Sequence, residues 1–399
     1  MQLSDNIWRL FMAQPLAMSA TPAVVIAAGI LAIDIAPSAE LATLPLTLLI
    51  IGTAIAVIPA SWLLKTIGRR KGSIAGLGLG ACGALIASYS ATSQNFYALL
   101  AGCFLIGNSA AFVAQLRFAA LESLDHPEQA PKALSTLMVG GLFSAMIGPE
   151  VAVFGRDLID SPSGFAGSFL ILSGCYIVAM AIIATLNSMD VKQVKETKTQ
   201  RSLLEIAKNP TFIIAICSGT TAYSVMSYLM TASPLSMHSD HDYAMETIKW
   251  VVQSHVLAMY VPSLFSAYLV KWLGIRKLML VGTGMYIAVV IISLVGGSVM
   301  HYWGAMVLLG IGWNFLFLSG TLLLPESYQP HERFKVQAVN DFSIFAIQAV
   351  ASLSAGLILF SRGWSNLVMI TIPVIILMLF ITLWYSILFR QQQKSNKAA

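Results

Sequence analysis

Twelve apolar runs, each about the length of a membrane crossing, divide this 399-residue chain. A hydrocarbon core about 30 Å thick needs roughly 20 apolar residues per helical crossing. The runs fall at about 8–33, 41–64, 72–93, 96–120, 132–154, 165–187, 210–232, 246–270, 278–299, 303–325, 335–360 and 365–389. Backbone groups in hydrocarbon must be satisfied within their own segment, so these runs are expected to be helices. Composition agrees. Charged residues make up 10% of the chain, against roughly 25% in soluble domains, and the mean hydropathy is +0.78. The first run reads as a crossing and not a cleaved leader: it lacks a basic start and a small-residue cleavage site, and it carries Pro15 and Pro22.

A basic turn occurs twice. Ser61–Lys71 (SWLLKTIGRRK) reappears 206 residues later as Ala267–Lys277 (AYLVKWLGIRK), each copy between two apolar runs. A second pair, Glu122–Glu128 (ESLDHPE) and Glu326–Glu332 (ESYQPHE), has an offset of 204. Two matches at nearly one spacing predict two similar halves of six crossings each, 1–187 and 210–399, related as parallel repeats. The segment 188–209 between them is polar, and Leu203, Leu204, Ile206 and Ala207 suggest a short amphipathic helix on the membrane surface.

With a cytoplasmic N-terminus, 19 of the 23 Lys and Arg fall on the cytoplasmic side; Arg156, Lys249 and Arg362 fall outside and Arg117 lies within a crossing. That positive-inside bias predicts both termini in the cytoplasm. The net charge of +5 then reflects topology and implies no nucleic-acid partner. Cys82, Cys103, Cys175 and Cys217 lie in separate runs without metal spacing and read as small buried hydrophobes. No glycosylation sequon is present, which fits a bacterial inner membrane.

Twelve crossings, a central polar segment and a basic turn after the second and eighth crossings resemble the major facilitator superfamily over essentially the whole chain. The family's turn reads Gly-x-x-x-Asp-Arg-x-Gly-Arg-Lys. Gly68, Arg69 and Arg70 match its end, but Lys65 stands at the Asp, Thr66 at the Arg and Ser61 at the first Gly, with Ala267 and Lys271 departing likewise in the second copy. The resemblance implies an all-α fold of two six-helix bundles that works by alternating access, with no cofactor. It also implies that the family's Asp docks near the start of span 11. The charge-reversed equivalent would set Lys65 against Asp341 or Glu332, and Lys271 against Glu128 or Glu122, with Arg69, Arg276 and Arg117 alongside. The bland alternative is that both lysines simply anchor at the interface.

In such a fold the substrate path runs between the halves along spans 1, 4, 7 and 10. Polar residues at helical spacing mark those spans: Gln14, Met18 and Thr21; Asn108 and Gln115; Thr220, Tyr223, Ser224 and Ser227; Asn314 and Thr321. Gln14, Asn108, Gln115, Tyr223 and Asn314 are the candidate substrate contacts, the alternative being polar glue between helices. Ionisable residues at depth are functional candidates, which singles out His255, Asp341 and Glu150 for proton coupling. Gly148-Pro149 fits half of the family's antiporter kink, but Ala152 and Val153 replace its glycines and Cys103 stands where antiporters carry an Arg. No phosphate loop, metal cluster or nucleophile elbow supports an enzyme.

The expectation is a monomeric secondary transporter in a bacterial inner membrane, moving a small amphipathic organic solute, with proton-coupled export preferred and uptake by symport the alternative. A protein of this fold that serves as a sensor or lipid-handling scaffold is the alternative from another class.

Overall fold

The protein was analysed as a computed structural model that describes residues 4–116, 119–120, 123, 130–187, 201–329 and 332–398. Among these residues every regular element is helical. Span 1 is Asp5–Met18 continued by Ala20–Ile35, and span 2 is Leu44–Ile67. Spans 3 to 7 are Arg69–Ser93, Phe96–Ala114, Ala130–Phe154, Ala166–Ala184 and Pro210–Ser239. Span 8 runs from Met245–Tyr260 through a 3-10 turn at Val261–Phe265 into the next helix, Ser266–Val295. That helix breaks at Gly274, so its first part ends span 8 and the rest is span 9. Span 10 is Val299–Leu323, and Arg333–Ala398 divides at Gly363 into spans 11 and 12. The twelve expected crossings are thus present.

The repeated turn has a physical signature. Gly68 lies at φ 85° and ψ 158°, and Gly274 at φ 72° and ψ 158°. Only glycine adopts that region at little cost, so each copy reverses the chain with the one residue type able to make the corner. Span 1 breaks for a different reason. Pro22 has no N–H for the carbonyl of Met18, and the helix is interrupted at Ser19, whose hydroxyl donates to Leu16 O at 2.7 Å.

Within each half, glycines allow helices to approach at backbone distance. A Cβ on Gly107 would sit 2.0 Å from Leu49 O, and one on Gly310 would sit 2.6 Å from His255 O. The two contacts occupy equivalent places in the duplicated halves, because Leu49 and His255 are 206 residues apart. Spans 2 and 4 are further tied by Thr53, which donates to Gly107 O at 3.0 Å. The most enclosed segments are Pro22–Ala32 of span 1 and Val225–Met237 of span 7. Trp62, Tyr89, Tyr97, Phe154, Trp272 and Phe380 face outward, as suits a lipid-covered surface. Cys82 is exposed, contrary to the expectation that all four cysteines are buried; Cys103 is enclosed.

The inter-half segment is described from Arg201. Ser202 caps Leu203–Ala207 by accepting from Glu205 N at 3.1 Å. In this single turn Ile206 is buried and Leu204 is exposed.

Candidate substrate site between the halves

The two halves meet at the face opposite the basic turns. There Thr47 of span 2 donates to Ser352 of span 11 at 3.2 Å, and Ser352 also bonds Thr231 of span 7 at 3.3 Å. All three are buried. One turn further out, Gly356 lies against Thr43 and Glu40: a Cβ there would fall 2.4 Å from Thr43 Oγ1 and 2.7 Å from Glu40 O. Across the molecule spans 5 and 8 make a charged contact. Lys249 Nζ lies 3.2 Å from Glu150, and Gln253 Nε2 donates to Glu150 Oε1 at 3.3 Å. Lys249 also pairs with Glu246 on its own helix at 2.6 Å.

Below this closure the C-terminal half presents an aromatic wall. Tyr223 of span 7 meets Trp313 and Phe317 of span 10 edge-on, with centroids 5.2 and 5.3 Å away, and Phe345 of span 11 at 6.0 Å. Trp313 and Phe317 stack at 5.1 Å and 16°. Tyr260 of span 8 stands 6.5 Å from Trp313 and carries the wall to the other half, since a Cβ on Gly141 of span 5 would be 3.1 Å from its ring. Tyr223 lies eight residues before Thr231, so the wall is about 12 Å below the hydroxyl contacts at 1.5 Å per residue. Tyr223, Tyr260, Phe317 and Phe345 are half-buried and Trp313 is buried.

Several polar atoms around the seam have no partner among the described residues: Trp313 Nε1, Gln348 Oε1, Asn314 Oδ1 and Gln14 Oε1. Buried polar groups are nearly always paired, so such a set marks places where another molecule would supply the bonds. Asymmetric wiring distinguishes them. Asn314 Nδ2 donates to Met259 O at 2.7 Å and to the Ser263 hydroxyl, joining spans 10 and 8. Gln14 Nε2 contacts Met18 Sδ at 3.1 Å.

The other sequence candidates are dispersed. Tyr223 is in the wall. Asn108 donates back to Phe104 O at 2.8 Å, and Gln115 sits in the turn that ends span 4. His255 is fully buried between spans 8 and 10, with Nδ1 2.7 Å from Met306 O and Nε2 unpartnered. The carbonyl requires a proton on Nδ1, so in the neutral ring Nε2 is the acceptor. Glu150 is at the closed seam. Asp341 is half-buried in span 11 and accepts from Asn340 at 3.1 Å.

On the basic face, Glu332 is fully buried and engaged by Arg201, at 2.8 Å from Nε and 2.6 Å from Nη2. The carboxylate also accepts from Arg201 N and Gln329 N. The guanidinium and these amides hold its carboxyl down at about 2. Among the described residues the cation on Glu332 is Arg201; the Lys65 side chain lies outside the described residues, as do Arg117, Glu122 and Glu128. Lys271 is exposed, and Arg69 and Arg276 are half-buried. Trp313, Phe317, Phe345, Tyr260, Gln348 and Arg201 were not singled out from sequence. The i, i+4 pair Trp313 and Phe317 was the available signal for the wall.

Two bundles of six crossings in parallel repeat, closed on one face over an uncharged aromatic wall, define a secondary-transporter architecture. The chain belongs to the Major Facilitator Superfamily, whose family model matches residues 10–244 and 216–398, and it is a membrane transporter of that family. Among its relatives is the riboflavin transporter RfnT of Brucella anthropi, 34% identical over 376 residues that cover 94% of each chain. YdeG of Bacillus subtilis, an uncharacterised transporter of the same type, is 28% identical over 95% of this chain and 90% of its own. The crystal structure of a point mutant of the nucleoside transporter NupG shares the fold with a TM-score of 0.73 at 12% identity, covering 95% of this chain and 99% of that one.

Proposed function

We propose that this protein carries a planar, amphipathic heteroaromatic solute of the flavin class, riboflavin itself being the first to test, by alternating access between its two halves. The aromatic wall carries the reading. Stacked and edge-on rings bind a flat π-system, and no charged side chain belongs to the wall to demand a charged ligand. Unpaired amide and indole groups beside it suit the polar edge of a heterocycle. The relative that transports riboflavin supports the same class.

Both termini are assigned to the cytoplasm from the Lys and Arg distribution, which makes the closed face the outer one and the conformation inward-facing. The working direction is proton-driven export, supported by the Gly148-Pro149 element, with Glu150, Asp341 and His255 as the available proton carriers. The functional unit is the monomer, since each chain holds both halves.

Purified protein in liposomes should exchange radiolabelled riboflavin for unlabelled riboflavin in counterflow. Absence of counterflow together with absence of binding overturns the reading. Imposed pH gradients of opposite sign then decide direction: antiport requires accumulation in vesicles acidic on the lumenal side, and symport the reverse.

A further inference from the structure

We propose that Gln348 and Trp313 select the ligand by its lactam edge, the N–H and adjacent carbonyl of a planar heteroaromatic ring. This rests on the flavin-class reading and names the atoms that would enforce it. Gln348 belongs to a stripe on span 11 whose positions are fixed by their neighbours. Ile344, four residues before it, packs against Gly219 of span 7. Phe345, three residues before it, meets Tyr223 in the wall. Ser352, four residues after it, bonds Thr47 across the seam. Residues three or four apart share a helix face, so Gln348 stands on the seam face between the wall and the closing contact, one turn below the latter. Its Oε1 is shielded and has no partner among the described residues.

Trp313 supplies the opposite polarity. It is 5% exposed, and its ring is held by Phe317, Tyr223 and Tyr260. Its indole N–H nevertheless has no acceptor among the described residues. A donor in the wall and an acceptor on the seam face beside Phe345, both without a partner among the described residues, form a set that an apolar ligand would leave unmet. A ring lactam meets it: Gln348 Oε1 accepts from the ring N–H, and Trp313 Nε1 donates to a ring carbonyl. The imide of an isoalloxazine carries both groups, with carbonyls flanking its N–H. Simple aromatic hydrocarbons carry neither. Stacking then supplies affinity and these two groups supply selection.

The test pairs two ligands with three proteins. Riboflavin and 3-methylriboflavin differ only at the ring N–H, and their binding is read by quenching of flavin fluorescence in detergent. Wild type should prefer riboflavin by about tenfold, the worth of one good hydrogen bond. Gln348→Met keeps volume but offers no acceptor, and should bring the ratio close to one by weakening riboflavin. Trp313→Phe keeps the stack and removes the donor, and should weaken both ligands alike because both retain the carbonyls. A wild-type ratio near one, an undiminished ratio in Gln348→Met, or unchanged affinities in Trp313→Phe would overturn the assignment. Binding of neither flavin to wild type would instead overturn the flavin-class reading itself.

Discussion

Arg201 and Glu332 form a two-pronged ion pair that fastens the segment between the halves to the loop joining spans 10 and 11. Both contacts are short, 2.8 and 2.6 Å, and the carboxylate is fully buried while the guanidinium is one-third exposed. Lys335 Nζ adds a bond to Arg201 O at 2.9 Å, and Arg201 Nη2 and Asn209 both reach Ser327 O at 3.3 Å. The basic face of the second half is thereby organised around one carboxylate.

Removing one partner of this pair leaves a buried polar group uncompensated, so Glu332→Gln and Arg201→Ala should each lower the melting temperature in detergent. Arg201→Lys should recover only part, because an ammonium cannot make the planar fork. Acid acts on the same contact. Glu332 has its carboxyl held at about 2, below the ordinary 4.5. The depressed value means that its stabilisation is complete above about pH 4.5 and is lost as pH falls toward 2. Melting curves of wild type and Glu332→Gln should therefore converge over that window; parallel curves would show that the pair contributes nothing.

Closure of the opposite face depends on the missing side chain at Gly356. An added methyl meets Thr43 Oγ1 at 2.4 Å and Glu40 O at 2.7 Å, and the second of these is backbone that cannot rotate away. Gly356→Ala should hold spans 2 and 11 apart. In a background with the four native cysteines replaced, Thr47→Cys with Ser352→Cys reports the approach through the rate of oxidative cross-linking. The added Gly356→Ala should slow that rate several-fold and reduce transport with it. An unchanged rate would mean that the closure tolerates the methyl.

The charged contact between spans 5 and 8 should be weaker than the hydroxyl contact between spans 2 and 11. The Glu150 side chain is 53% exposed, although that of Lys249 is only 14% exposed, and Lys249 also pairs with Glu246 of its own helix at 2.6 Å. Exposed pairs contribute roughly 0–1 kcal/mol. Glu150→Gln and Lys249→Met, alone and combined, form a cycle whose coupling energy should fall in that range and shrink in high salt. A coupling above about 2 kcal/mol would contradict this account, since only desolvated pairs reach such values.

The architecture was legible because hydrocarbon imposes it: each run of about 20 apolar residues has only the helix available. The breaks were less visible. The apolar run 246–270 hides the 3-10 turn at Val261–Phe265, where Pro262 interrupts helical bonding. The substrate wall was harder still. In a membrane an aromatic residue facing lipid and one facing a solute path have the same hydropathy, so Trp313 and Trp272 look alike until packing separates them. Polar residues carry the complementary ambiguity. Asn314 and His255 stand at depth, yet each bonds a carbonyl within its own half. His255 also occupies the position that Leu49 holds in the first half, beside the glycine contact of the neighbouring span.

That repeated glycine contact yields a graded prediction for stability. Alanine at Gly107 places its methyl 2.0 Å from Leu49 O, and alanine at Gly310 places it 2.6 Å from His255 O. In both cases the obstacle is backbone of a packed neighbour, so two helices must separate, and overpacking of this kind costs about 1–3 kcal/mol. Gly174 is the control, because nothing lies within 4 Å of its added methyl, and alanine there gains helix propensity. Thermal unfolding in one detergent should rank Gly107→Ala below Gly310→Ala, and both below Gly174→Ala, which should match wild type. The same order should appear in the yield of folded protein after extraction. If Gly107→Ala proved as stable as Gly174→Ala, spans 2 and 4 would not be in backbone contact, and the equivalence of Leu49 with His255 would lose its structural basis.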